Sequence, residues 1–144
     1  MVSRALFSDL GGFVAVGQAL VPQAAHTAGA VDGAEIDRAA VSGDGALYSS
    51  ACLVINHGAV SGGPSAISVE YKIQHSATSG GVFTDYDGSS PITVTAASTS
   101  QKLSVDLRGA QRFIRVQATF SYTGGTAPAL FASSSFVFID EKKR

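Results

Sequence analysis

The stretch SVEYKIQHSATSGGVFTDYDG, residues 68 to 88, brings His75, Ser76, Ser79, Asp85 and Asp87 close together in an otherwise apolar chain. A histidine, hydroxyls and carboxylates are the parts from which a nucleophile, its base and an orienting group are assembled. The flanking pattern gives them a plainer role. Val69, Tyr71, Ile73 and His75 alternate with Glu70, Lys72 and Gln74, the period of a strand with one buried face. Ser79-Gly80-Gly81 is turn chemistry, and Val82 and Phe83 open a second apolar stretch. The expectation is a β-hairpin with hydroxyls at its tip and Phe83 returning apolar bulk to the core.

The other reactive residue types are equally scattered. Cys52 is the single cysteine, so no internal disulfide can form. It sits in SSACLVIN, read as a buried strand in which a thiol acts as a small hydrophobe. No base or positive charge neighbours it, and His57 follows only at the strand's exit. Asp32, Glu35 and Asp37 in VDGAEIDR are the densest acidic group, but they lack the order of a calcium loop. They read as a turn at Asp32-Gly33, with Asp37 capping or pairing with Arg38. His26, His57 and His75 do not have metal-ligand spacing, and neither a G-x-S-x-G elbow nor a phosphate-cradling loop occurs. The chain is therefore expected to be no enzyme and to use neither cofactor nor metal.

Composition narrows the partners. Ten Lys and Arg against eleven Asp and Glu leave a net charge of −1, which draws the chain neither to nucleic acid nor to an acidic membrane. Arg112 and Arg115 fall on opposite faces of an ideal strand and make no basic stripe. Only 15% of residues are charged, against a usual quarter or so, which suits permanent burial against protein partners. The apolar runs fall short of the roughly 18 residues of a membrane-spanning helix. Asp9, Gly11-Gly12 and Gln18 interrupt the early apolar patch, which argues against a signal peptide.

Candidate strands run over 47–56, 66–75, 91–97, 101–107, 112–122 and 135–140, separated by turn-like segments such as GAVSGGPS and YTGGTAP. In RFIRVQATFSY, Ile114, Val116, Ala118, Phe120 and Tyr122 form one apolar face. The expected fold is all-β, a β-sandwich (jelly-roll or Ig-like) over residues 31–144, without any helix. Residues 1–30 show no clean period and are read as an extended N-terminal arm packed on a neighbouring subunit. Leu6, Phe7, Leu10, Phe13, Val14 and Val16 are its candidate interface side chains.

The succession VDGAEIDRA, YSSACLVINHGA, SVEYKIQHS, GGVFTDY and QKLSVDLRGAQRFIRVQATFSY resembles small structural proteins encoded in the head modules of tailed phages, over roughly residues 31 to 122. The resemblance lies in strand, turn and strand-edge positions. It implies a capsid decoration, or cement, protein built as a β-sandwich on the exterior of the virion. Its partners would then be the major capsid protein and copies of itself, as a dimer or trimer. A neck or tail component, or a virion-borne module binding host surfaces or carbohydrate through the VSGGPSA and YTGGTAP loops, is the alternative.

Overall fold

The computed structural model describes residues 14–22, 25–43 and 45–139. They form eleven strands and one short helix. The strands are β1 (Val14–Leu20), β2 (Ala25–His26), β3 (Gly29–Asp32), β4 (Ile36–Asp37), β5 (Ser50–Ser61), β6 (Ala66–Ser76), β7 (Thr84–Asp85), β8 (Ile92–Val94), β9 (Thr99–Asp106), β10 (Phe113–Thr123) and β11 (Ala129–Ile139). The first sheet has the order β1-β11-β5-β9, and the second β3-β10-β6-β7. The two pack face to face as a β-sandwich, in which every strand pairing is antiparallel.

Three rows of this sandwich are interrupted strands. β1 and β2 lie end to end along β11, β3 and β4 along β10, and β7 and β8 along β6. Taking each interrupted row as one strand leaves eight rows. The first then pairs with the last (β1/β2 with β11), the second with the seventh (β3/β4 with β10), the third with the sixth (β5 with β9) and the fourth with the fifth (β6 with β7/β8). This nested order is that of a jelly roll, a long antiparallel hairpin rolled into two sheets. It decides between the two sandwich orders left open by the sequence.

The alternation expected from the sequence builds the core. Leu53 and Ile55 from β5, Val69, Tyr71 and Ile73 from β6, Ile114, Val116 and Phe120 from β10, and Leu130, Phe136 and Phe138 from β11 are buried between the sheets. Each removes an apolar side chain from water, at about 1.5–3 kcal/mol apiece.

Two expectations are corrected here. The described part of the segment read as an arm, from Val14 to Ala30, is built into the sandwich as β1, β2 and the start of β3. Val14 and Val16 pair with Ile139 and Val137 of the same chain. Gly17 and Pro22 weaken the strand period in that region, and partners over a hundred residues away supply the pairing that local pattern cannot. Leu6, Phe7, Leu10 and Phe13 lie outside the described residues.

A one-turn helix, α1 (Arg38–Ser42), also exists where none was expected. Asp37 caps it by accepting from the Ala39 N–H at 3.0 Å, and Gly43 ends it in a left-handed conformation. Five residues are too few to print a helical period. Its stability comes from tertiary contact, chiefly through the buried side chain of Arg38.

Candidate functional site

The two outer faces of the sandwich differ in chemistry, and the difference is written in the strands themselves. β1, β5 and β11 contain no aspartate, glutamate, lysine or arginine at any position. β3, β4, β6, β7 and β10 together carry Asp32, Asp37, Glu70, Lys72, Asp85 and Arg115.

On the β10–β6 side most of the outward charges are tied to one another. Arg115 pairs with Asp32 at 3.2 Å and donates to Gln74 at 2.9 Å. Gln74 donates in turn to Asp85, which also receives Lys72, both at 2.9 Å. Gln117 donates to Asp32 at 2.8 Å. The amide of Gln74, with the ammonium of Lys72, holds the Asp85 carboxyl below its ordinary range. At the sheet's end Arg112 makes two bonds to Asp37 at 2.8 and 2.7 Å, and this pairing, assisted by the helix cap, draws the Asp37 pKa down to about 2. Glu35 accepts from the Ser79 hydroxyl at 2.6 Å and the Gly80 N–H at 2.8 Å, which lower its pKa in that order and pin the tip of the β6–β7 turn. Apart from the exposed Glu70, this face is a lattice of paired charges, suited to water.

The β1–β11–β5 side is the opposite. Strand parity points Ala51, Leu53 and Ile55 inward, so Cys52 and Val54 face out. Across the strands, Val16 lies opposite Val137, Val137 opposite Cys52, and Val14 opposite Ile139. Val14, Val16, Val137, Ile139, Cys52 and Val54 thus form one continuous outward apolar patch, with Val16 65% and Ile139 41% exposed. Serines occupy much of the remainder, among them Ser133 and Ser135. A groove of about 630 Å³ opens beside the patch, lined by Ser50, Cys52, Ser104 and Ile139 together with the charged Asp106 and Arg108.

Of the interface residues expected from the sequence, Val14 and Val16 therefore belong to a contiguous apolar surface, though on an edge strand rather than on a free arm. Cys52 was expected in the core and lies instead on this outer face. The signal was present in the sequence: ACLVI and FVFI are apolar at consecutive positions, and a strand without alternation has both faces apolar.

The residues that looked like chemistry do not converge. His75 accepts from the Gln111 N–H at 3.2 Å and packs its ring against Tyr86. Ser76 bonds locally to Thr78, while Asp85 is engaged by Lys72 and Gln74. The hairpin turn is as expected, with Gly80 in the left-handed region, but Phe83 does not reach the core. It lies under the Arg115 guanidinium, 4.4 Å from ring centroid to Cζ, and Val82 beside it is 85% exposed. Asp32, Glu35 and Asp37 each serve a different partner, and no group of three metal-ligating side chains occurs among the described residues. Asp37 caps the helix and pairs with Arg112, not Arg38.

The loops between β5 and β6 and between β10 and β11 meet at one end of the sandwich. The Thr126 N–H donates to Gly62 O and the Ser65 N–H to Thr123 O, both at 2.8 Å, so the loops' backbones satisfy each other. No helix among the described residues is long and apolar enough to cross a membrane. Comparison with protein-family models and with curated proteins yields no match.

Proposed function

We propose that this chain is a structural protein of a tailed-phage virion, a decoration protein that binds the outside of the assembled capsid and holds neighbouring capsomers together. The observation that carries the reading is the asymmetry of the sandwich, with one outer face dominated by paired charges and the other partly apolar and without charge on β1, β11 and β5, its charged residues Lys102 and Asp106 lying on the edge strand β9. A continuous exposed apolar patch on a small domain marks a surface that works in contact with protein. The resemblance of residues 31 to 122 to phage head-module proteins supplies the kind of assembly, and the jelly roll is an architecture that virion proteins use.

The mechanism is binding alone. A protein whose site spans several capsomers binds the assembled shell and not its dissociated parts, and so stabilises the shell by RT ln(1 + [L]/Kd). This amounts to about 2.7 kcal/mol per site at a hundredfold excess over Kd. Repetition over a lattice multiplies modest contacts into a rise in the temperature at which particles rupture.

The test compares particles with and without this protein at matched genome content. Shell-wide copy number and lower survival of heat or osmotic shock in its absence are expected. Equal survival, with only a few copies per particle, would overturn the cement reading in favour of a neck, tail or adhesion role.

A further inference from the structure

We propose that the open edge of β9 is a docking site for an extended segment of another protein, added to the sheet as a further antiparallel strand, in which an acidic residue is flanked by apolar ones. The proposal concerns the edge of the first sheet and holds whether or not the chain is a decoration protein.

The register of β9 identifies the backbone groups on offer. It pairs with β5 from Thr99 to Asp106 without a register shift. The Leu107 N–H donates to Ser49 O at 2.8 Å, in line with that register. Hydrogen-bonded pairs alternate along an antiparallel ladder, so Val105, Leu103 and Gln101 also turn their backbone toward β5. Ser100, Lys102 and Ser104 turn theirs the other way, where no strand follows β9 in the sheet. Both ends of this row are closed within the chain. The Asp106 carbonyl accepts from the Tyr86 hydroxyl, and Ser98, in the left-handed region with φ of +49°, donates to Gly58 O at 2.9 Å. Between these ends Ser100, Lys102 and Ser104 are exposed, and their outward N–H and C=O groups have no partner among the described residues.

The other sheet edges carry devices that block further pairing. β3 has 4 residues, β8 has 3, and β4 and β7 have 2 each. β1 has a register break between Gln18 and Leu20, and its Ala19 carbonyl is taken by the Ala34 N–H. β9 is 8 residues long and unbroken, with a lysine at the middle of its open row.

Lys102 selects the occupant. It is exposed, and its ammonium has no ion pair or hydrogen bond among the described residues. In a two-fold antiparallel pairing of two copies, centred on the open row, Lys102 would stand directly opposite its own like, which is unfavourable. A carboxylate at that position of an incoming strand makes a favourable cross-strand pair instead. Side chains alternate along a strand, so the neighbours of that carboxylate point to the other side, over the rim between the sheets. There Leu103 and Ile92, on the inner faces of β9 and β8, are only half-buried. Apolar neighbours of the carboxylate cover them. Main-chain bonds thus supply affinity, and alternate side chains supply the choice of partner.

Nuclear magnetic resonance titration of the full chain with the peptide acetyl-Gly-Ser-Thr-Val-Glu-Val-Thr-Ser-Gly-amide, at up to about 2 mM, tests the proposal. The N–H resonances of Ser100, Lys102 and Ser104 should shift downfield and exchange with solvent about fivefold more slowly, while those of Gln101 and Leu103, already bonded to β5, keep their rates. The same peptide with lysine in place of glutamate should bind about tenfold more weakly, and Lys102→Glu should reverse that preference. Ser104→Pro removes an open N–H, a change that an edge strand accepts, and should weaken binding about tenfold with the fold retained, which a thermal melt followed by circular dichroism checks. Lys102 is exposed, so its charge reversal tests the proposal even where Ser104→Pro does not fold.

No shift with either peptide overturns the proposal and leaves Lys102 as a guard of the edge. Equal binding of the two peptides to the parent chain overturns the choice of an acidic partner, and shifts confined to the outer face around Val16 and Cys52 overturn strand addition. Line broadening that grows with protein concentration, with Ser100, Lys102 and Ser104 protected before any peptide is added, would give the edge to a second copy and overturn the choice of occupant.

Discussion

His57 Nε2 lies 2.8 Å from the Tyr71 hydroxyl in the seam between the two sheets, joining β5 to β6 through the core. The other ring nitrogen, Nδ1, is 2.8 Å from Ala96 O, a carbonyl that can only accept. The proton therefore sits on Nδ1, and Nε2 accepts from the tyrosine. Burial pushes the His57 pKa below its ordinary value, opposed in part by the Ala96 carbonyl, and burial raises that of Tyr71. Both groups are held neutral.

The first prediction follows from that pair. Unfolded, His57 takes up a proton near pH 6.5, whereas the folded chain resists it until lower pH. Between those two values the unfolded state binds more protons, so stability falls as the pH drops below about 6.5. The slope from this residue is at most about 1.4 kcal/mol per pH unit. Urea unfolding at pH 7.5, 6.5 and 5.5 should trace this loss, and His57→Gln should flatten it. Tyr71→Phe leaves Nε2 without its donor and should cost about 1–2 kcal/mol at pH 7.5. A Tyr71→Phe chain as stable as the parent would mean that the hydrogen bond contributes nothing.

Arg38 supports the second prediction. Its side chain is buried, and it donates to Ala110 O at 2.8 Å, Gln111 O at 3.1 Å, Leu107 O at 3.0 Å and the Tyr48 carbonyl. Four carbonyls of two loops thus converge on one guanidinium, whose fixed fork of donors matches them. Arg38→Met keeps much of the bulk but orphans those carbonyls, and should cost about 3–5 kcal/mol. Arg38→Lys, with three donors on a flexible stem, should fall between Met and the parent. Chemical denaturation midpoints of the three proteins give the order directly, and an unchanged midpoint for Arg38→Met would refute the role.

These two residues mark the boundary of what the sequence makes legible. Period-2 patterning locates β6 and β10 to within a residue or two, because each has one wet and one dry face. It misassigns Cys52, since in β5 both faces are apolar and parity has no polar marker to read. Arg38 looks like a surface partner for its neighbour Asp37. Only the loops around 48 and 107–111, distant in sequence, turn its side chain inward. The apolar patch is half legible: Val14 and Val16 stand out, but their alignment with Val137 and Ile139 is a fact of long-range register. Burial and register come from pairings that a local window does not contain.

Asp37 has two jobs, and they can be separated. It caps α1 through Ala39 N–H and pairs with Arg112 at 2.7 Å. Asp37→Ala removes both and should cost about 1–2 kcal/mol, while Asp37→Asn keeps a good cap and should lose only a few tenths. The carboxyl titrates near 2 in the folded chain against 3.8 ordinarily, because of Arg112 first and the backbone donors of the helix after it. Its contribution is therefore present above pH 3.8 and disappears as the pH falls toward 2. Carboxyl chemical shifts followed through an acid titration should show the depressed value, and Arg112→Ala should return it most of the way to normal. An Asp37 that titrates normally in the parent would exclude the pairing in solution.

The last prediction concerns the interlocked loops at the end of the sandwich. Gly62 and Gly125 have φ of +78° and +82°, a region that side chains other than glycine's adopt at a cost of about 1 kcal/mol or more. Space is equally restrictive: a Cβ on Gly62 would lie 2.5 Å from Thr126 O, and one on Gly125 would lie 2.5 Å from Gly62 O. Gly63 provides the control, since its φ is +59° but no atom stands within 4 Å of where its Cβ would be. Gly63→Ala should therefore cost only the conformational share, about 1 kcal/mol. Gly62→Ala and Gly125→Ala must also move backbone, and should each cost about 2–4 kcal/mol. The double variant should cost less than the sum of the two, because both changes break the same loop-to-loop contact, the Thr126 N–H to Gly62 O bond. Denaturant midpoints for the four variants test the ordering. Equal losses at 62, 63 and 125 would show that φ alone matters there and that the two loops do not hold each other in place.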